Sequence, residues 1–202
     1  NINLQTNQIR KEAYGELAGS YGSFNTFKTT IKAGTGLINN HFTIDMRLSK
    51  IHSDGFIDRA STDMESFFAS GSYSDKKNLV KINVFSGHEI TYQAWNGVPK
   101  VRLENDIDGM MRYQNHYLYT EEETQHMLNS DSRTYNYYTY NNQVDDYKQT
   151  HYQAFYSHKF NPNLNLNLGL NYTKGRGYYE EFKNDQDIKE YLIEPVPGSV
   201  DT

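Results

Sequence analysis

Tyrosine is the side chain with the most chemistry to offer in this sequence, at 18 of 202 residues. Its ring gives a broad apolar face with a polar tip, suited to stacking on an aromatic or sugar ligand at small entropic cost. Between His88 and Lys148 the aromatics crowd together: Tyr92, Trp95, Tyr113, Tyr117, Tyr119, Tyr135, Tyr137, Tyr138 and Tyr140. From these, Tyr113, Tyr117, Tyr137 and Tyr138 are candidate ligand contacts, with Arg112 and Arg176 as guanidinium partners for an anionic ligand. The competing reading is that each Tyr packs its segment against its neighbours. For Trp95, between Gln93 and the turn "NGVP", packing is the expectation.

Other chemistry is thin. The carboxylate pairs Glu121–Glu123, Asp145–Asp146 and Glu180–Glu181 are sequential runs on polar stretches, which ordinarily are solvated faces. No Ser/His/Asp set has its motif context, there is no Gly-rich phosphate loop, and Cys is absent, so no enzyme, cofactor or disulfide is expected. The seven His lack metal-ligand spacing and no metal site is expected; His116 and His126 are the two placed to touch a haem or a metal. Asn171-Tyr172-Thr173 fits a glycosylation pattern but falls inside a strand and is discounted.

Composition narrows the class. Formal net charge is -5 and pI about 5.8, which argues against a nucleic-acid partner. Apolar content is 36%, yet aromatics reach 14%, so the shortfall is not disorder. Such a chain needs only one thin apolar face. No apolar run of eighteen residues exists, which excludes a membrane-spanning helix. The chain opens on "NINLQTNQIRKE" and is expected to be a piece of a longer protein.

The elements that must position these side chains are strands. In "NPNLNLNLGLNYTKGRGYYEEF" leucine occupies positions 164, 166, 168 and 170 with Asn or Gly between, so period two puts leucines on one face and amides on the other. Six more stretches alternate in the same way: Ala13–Gly22, Phe24–Gly34, His41–Ile51, Glu65–Ser74, Asn78–Gly87 and His151–Phe160. Short polar turns at Leu37–Asn40, Asp75–Asn78 and Asn161–Asn163 fall at one end of a meander; the other end carries "YGSF", "HSDGFIDRASTD" and the long segment from His88 to Lys148. Sorted loops and long strands predict an antiparallel up-and-down barrel with Leu166, Leu168, Ile44 and Met46 towards lipid. Lys28, Lys32, Arg47, Lys81 and Lys159, with Glu16 and Asp45, would face its lumen. A secreted β-sandwich that binds glycan and a passive porin-like barrel remain as alternatives. Within the long segment, Thr120 three residues before Glu123 is a capping-box spacing, predicting a helix over Glu121–Leu128.

The motifs "SKIHSDGFIDRAS", "GHEITYQAWNGVP" and "YTKGRGYYEEFK" together resemble the barrel of TonB-dependent outer-membrane receptors, on the iron and siderophore side of that family. The resemblance implies an all-β fold: residues 1–202 would be a partial barrel domain, about the first seven strands of a 22-stranded barrel. Residues 88–148 would be a long extracellular loop. It implies a receptor in the cell outer membrane that binds and imports a scarce nutrient, a ferric siderophore or other iron chelate. The implied partners are outer-membrane lipid, a small-molecule metal chelate, and TonB through a plug domain that these residues do not contain.

Overall fold

The computed structural model describes residues 10–116, 119–183 and 191. Seven strands follow one another: β1 (Tyr14–Tyr21), β2 (Phe27–Gly34), β3 (Phe42–Ser53), β4 (Thr62–Ser74), β5 (Asn78–Tyr92), β6 (Val144–Asn161) and β7 (Leu164–Tyr179). They form one antiparallel sheet in which each strand pairs with its neighbours in sequence. No second sheet packs on it among the described residues, which removes the sandwich. The alternation fixed all seven strands; β5 and β6 extend beyond the expected ends, so the connection between them is residues 93–143.

The register lines up the two faces. One row of partners runs Ala33, Met46, Ala69, Val84, Tyr152, Tyr172, and the next Ile44, Gly71, Ile82, Ala154, Leu170. These apolar side chains are not a core. Ile82 on β5 is 55% exposed and Met46 on β3 52%, although both strands are paired on either side. The opposite face holds Thr43, Ser70, Lys81 and Asn83, all buried, with Asn83 at 0%. Crowding of that polar face marks it as the concave side. A water-soluble sheet would do the reverse, burying the apolar face and wetting the polar one.

Cross-strand hydrogen bonds satisfy the concave face, as buried polar groups require. Tyr14 donates to Asp45 (2.9 Å), Ser70 to Asn83 (2.8 Å) and Asn83 on to Gln153 (3.3 Å), while Thr43 pairs with Ser72 (2.6 Å) and Lys32 with Glu16 (2.8 Å). On the convex face aromatics gather near the two ends of the apolar rows. Phe42 lies 5.1 Å from Tyr73 and His158 4.5 Å from Phe160 at the short-turn end; Tyr152 lies 6.0 Å from Tyr172 towards the other.

The β4–β5 turn is tied by Asp75, whose carboxylate accepts from the Lys77 and Asn78 backbone N–H at 2.7 Å each. The Lys77 bond first, then the Asn78 amide and backbone, holds that carboxyl far below the usual carboxylate range. The β7 motif "KGRGYY" is decided by the ring of Tyr147. It lies across the concave face of β7, where a Cβ on Gly177 would sit 2.5 Å from Tyr147 Cδ2 and 2.8 Å from the Asp146 carbonyl. Glycine leaves room for the ring. Gly177→Ala is expected to cost about 2 kcal/mol, because the ring can swing aside but the Asp146 carbonyl and the Tyr147 Cα are backbone and must shift with the strand. Denaturant titration checks it; an unchanged midpoint would mean that Tyr147 does not depend on the gap.

Candidate ligand-binding site

The connection 93–143 has a structure of its own. It carries α1 (Lys100–Leu103), α2 (Ile107–His116) and α3 (Glu121–Asn129). The α3 N-terminus is the expected capping box: the Glu123 N–H donates to Thr120 Oγ1 (3.1 Å) and the Thr120 N–H to Glu123 Oε2 (2.7 Å). The buried hydrophobic residues Met110, Met127 and Tyr135 all lie here rather than on the sheet, with Val98, Val101 and Leu128 against them. Arg102 is buried beside them, donating to Asn105 Oδ1 (2.9 Å) and the Leu128 carbonyl (3.4 Å).

This small unit is bolted to the sheet. Asn136 Nδ2 donates to the carbonyls of Asp58 (2.8 Å) and Gln93 (3.1 Å), Tyr92 OH to the Tyr140 carbonyl (2.6 Å), and Arg59 to Asn141 (2.8 Å). The connection between β3 and β4 thus supports the longer one.

The tyrosines form a continuous aromatic run. Ring centroids step from Tyr113 to Tyr119 (5.5 Å), to Tyr137 (5.2 Å), to Tyr138 (5.2 Å), to Trp95 (6.3 Å) and to Tyr179 on β7 (6.5 Å). Burial pushes the Tyr119 phenol up to about 12 and raises Tyr137 and Tyr138 as well; at Tyr137 the Glu123 carboxylate, which accepts its O–H at 2.7 Å, adds to the effect. These phenols stay protonated at neutral pH, so they offer neutral faces and O–H donors rather than phenolate ligands.

The candidate residues separate into different settings. Tyr113 and Tyr137 pack against the Met110, Met127 and Tyr135 cluster. Tyr138 joins them to Trp95. Arg112 is exposed, with its guanidinium 3.8 Å from Asp106. Tyr117 lies outside the described residues. Arg176 shares the convex face with Leu168, Leu170 and Tyr172, opposite Lys148, and so points away from the concave wall. Trp95, expected to be packing, is 62% exposed, between Tyr138 and Tyr179 in the run. Its position beside the "NG" of a turn was the available signal, since turn residues sit at surfaces.

Below this crust, the concave wall holds a hollow of about 480 Å³ lined by Arg47, Phe85, Tyr147, Gln149 and His151. His151 stacks on Phe85 at 4.6 Å and is oriented by Thr173 Oγ1 (2.9 Å) and Gln149 Oε1 (3.1 Å). Arg47, the rings of Phe85, Tyr147 and His151 and the Gln149 amide could take a planar ligand of modest size, while Glu65 and Glu89 in the same lining offset the Arg47 charge. Among the described residues no cluster of His and carboxylates could hold a metal ion directly.

No family model matches the chain, and no curated protein matches it. Among solved structures it is similar to the ferric-catecholate import receptor Fiu of E. coli K12, in its closed and open crystal forms. Each superposes with a TM-score of 0.65 over 85% of this chain at 15% identity. The match covers 23% of the closed-form chain and 25% of the open-form chain, so this chain spans about a quarter of the structures it resembles. At that identity the likeness is one of fold: an up-and-down sheet that corresponds to part of the receptor barrel.

Proposed function

We propose that this chain is part of the barrel wall of a TonB-dependent outer-membrane receptor that binds and imports a ferric siderophore or similar iron chelate. The observation that carries the reading is the inverted burial of the single sheet, with exposed aliphatic rows on one face and buried, hydrogen-bonded polar groups on the other. Lipid on the convex side and water on the concave side satisfy both faces at once. Aromatic pairs near the ends of the apolar rows fit the two lipid–water interfaces. Residues 93–143 join β5 and β6 beyond the row where the convex face turns charged, and lie on the extracellular side in this reading. Coupling to TonB belongs to a plug outside these residues.

In this reading Tyr113, Tyr137, Tyr138, Trp95 and Arg112 form a mouth, with Arg47 and His151 on the wall beneath. Neutral aromatic faces suit the ligand shell of a chelated iron, since the metal brings its own donors. The test is equilibrium binding of a ferric-catecholate complex to the full-length receptor. Trp95→Ala and Tyr138→Ala should each weaken binding by about 1 kcal/mol, roughly fivefold, while Trp95→Phe retains most of the affinity. Wild-type affinity in both alanine variants would remove the aromatic run from the ligand site.

A further inference from the structure

On the convex face, directly beyond the apolar rows, one register row reads Thr29, Lys50, Glu65, His88, Lys148, Arg176. Lys174 precedes Arg176 by two residues and shares its face. Lys148 and Arg176 are direct cross-strand partners, so two like charges stand about 5 Å apart at their Cβ atoms. Such a pair is destabilising unless an anion lies over it. The local acids do not supply one. Asp146 is held by His88 Nε2 at 2.8 Å, and Glu65 lies 3.7 Å from the other nitrogen of the same ring. Among the described residues Lys148, Lys174 and Arg176 form no ion pair, and all three are exposed.

Beside them is a hollow of about 370 Å³ whose floor is Ile31, Leu48 and Phe67 and whose rim is Lys50, Glu65, His88 and Lys148. An apolar floor that runs into the aliphatic rows, with Lys50 and Lys148 outnumbering Glu65 along one edge, has the polarity of a lipid: acyl chain below, anionic headgroup above.

We propose that Lys148, Lys174 and Arg176, with Lys50 across the hollow, bind the phosphate-bearing headgroup of a membrane lipid on the convex face, at the end of the barrel that carries residues 93–143. The inference rests on the membrane reading above. It gives "KGRGYY" a double use: its glycines make room for Tyr147 on the concave side, and its cations serve the lipid side. Arginine matches phosphate geometry with two parallel N–H donors, and the lysines add compact charge.

The test uses the full-length receptor and diphosphoryl lipid A as probe, with phosphatidylcholine as the uncharged comparison. Insertion into phosphatidylcholine vesicles is scored first, by protection of the strands from added protease. Lipid retention is then read by native mass spectrometry from detergent. Wild type should retain the diphosphoryl lipid in preference to phosphatidylcholine, and excess inorganic phosphate should not displace it, because the acyl chains hold it to the apolar floor. The variant Lys148→Gln/Lys174→Gln/Arg176→Gln should lose retention by about tenfold or more, equivalent to 1.4 kcal/mol, whereas Lys159→Gln, on the concave side, should not. Normal insertion with unchanged retention in the triple variant overturns the headgroup site alone. Displacement by inorganic phosphate would reduce it to a simple anion site and overturn the lipid assignment. Failure of the wild type to insert overturns the membrane reading and this inference with it.

Discussion

Lysine in place of Leu168 is expected to destabilise the inserted barrel by about 2–4 kcal/mol, while lysine in place of the adjacent Asn167 costs little. Leu168 stands opposite Tyr156 on the convex face, amid Leu166, Leu170 and Ala154, where a charged amine would meet hydrocarbon. Asn167 stands opposite Ser157 on the concave face, among groups that already hydrogen-bond or meet water. In the proposed reading, one residue of sequence separates a lipid-facing site from a lumenal one because the side-chain period of a strand is two. Denaturant unfolding of the two variants in lipid vesicles measures the difference. Equal costs would mean that the two faces share one solvent, and the inverted burial would need another cause.

Shortening residues 93–143 to a tight turn is expected to leave insertion intact and to lower ligand affinity by at least about tenfold, or 1.4 kcal/mol. The geometry permits the cut. Tyr92 and Val144 are cross-strand partners and the Gln93 N–H donates to the Gln143 carbonyl at 2.9 Å, so the two chain ends already meet across the ladder. The buried core of the segment is its own: Met110, Met127 and Tyr135 pack on Val98, Val101 and Leu128, all within it, while the ring contacts of Trp95 with Tyr179 and of Tyr140 with Phe182 reach outside. Its removal deletes a core without exposing one. Binding of a ferric-catecholate complex to the shortened, correctly inserted receptor is the measurement. Unchanged affinity would make the segment a shield or a partner-binding surface.

Much of this was legible because strands announce themselves by period two. Leu164 to Leu170 and Phe42 to Leu48 alternate without exception, and the sheet follows them residue for residue. The same parity, carried six residues further, places Arg176 outward. The grouping of Arg176 with the loop tyrosines used its height along the strand and not its face. The capping box of α3 was legible because both of its side chains bond locally. The other helices were not foreseen. For α2 the signal was present, since Asp106 accepts from the Gly109 N–H at 2.9 Å just before the apolar Met110 and Met111. For α1, four residues after Pro99 carry no period at all. The ring contacts of Trp95 were hidden for a different reason: Tyr138 and Tyr179 are brought to it by the fold, over long separations in the chain.

The two ends of the sheet also differ in how freely a lineage can edit them. Closing a chain costs entropy that grows with the logarithm of loop length. Ten residues added to 93–143 raise that cost by about 0.2 kcal/mol, whereas the same ten added to the turn at 75–77 raise it by about 1.3 kcal/mol. Insertions and deletions are therefore nearly neutral in 93–143 and penalised in the turn at 75–77. Because β5 and β6 remain in register down to Tyr92 and Val144 whatever lies between them, the strand pairing is indifferent to such edits. A wall of this design can stay fixed while its crust drifts, so descendants that capture quite different cargo would still superpose strand on strand.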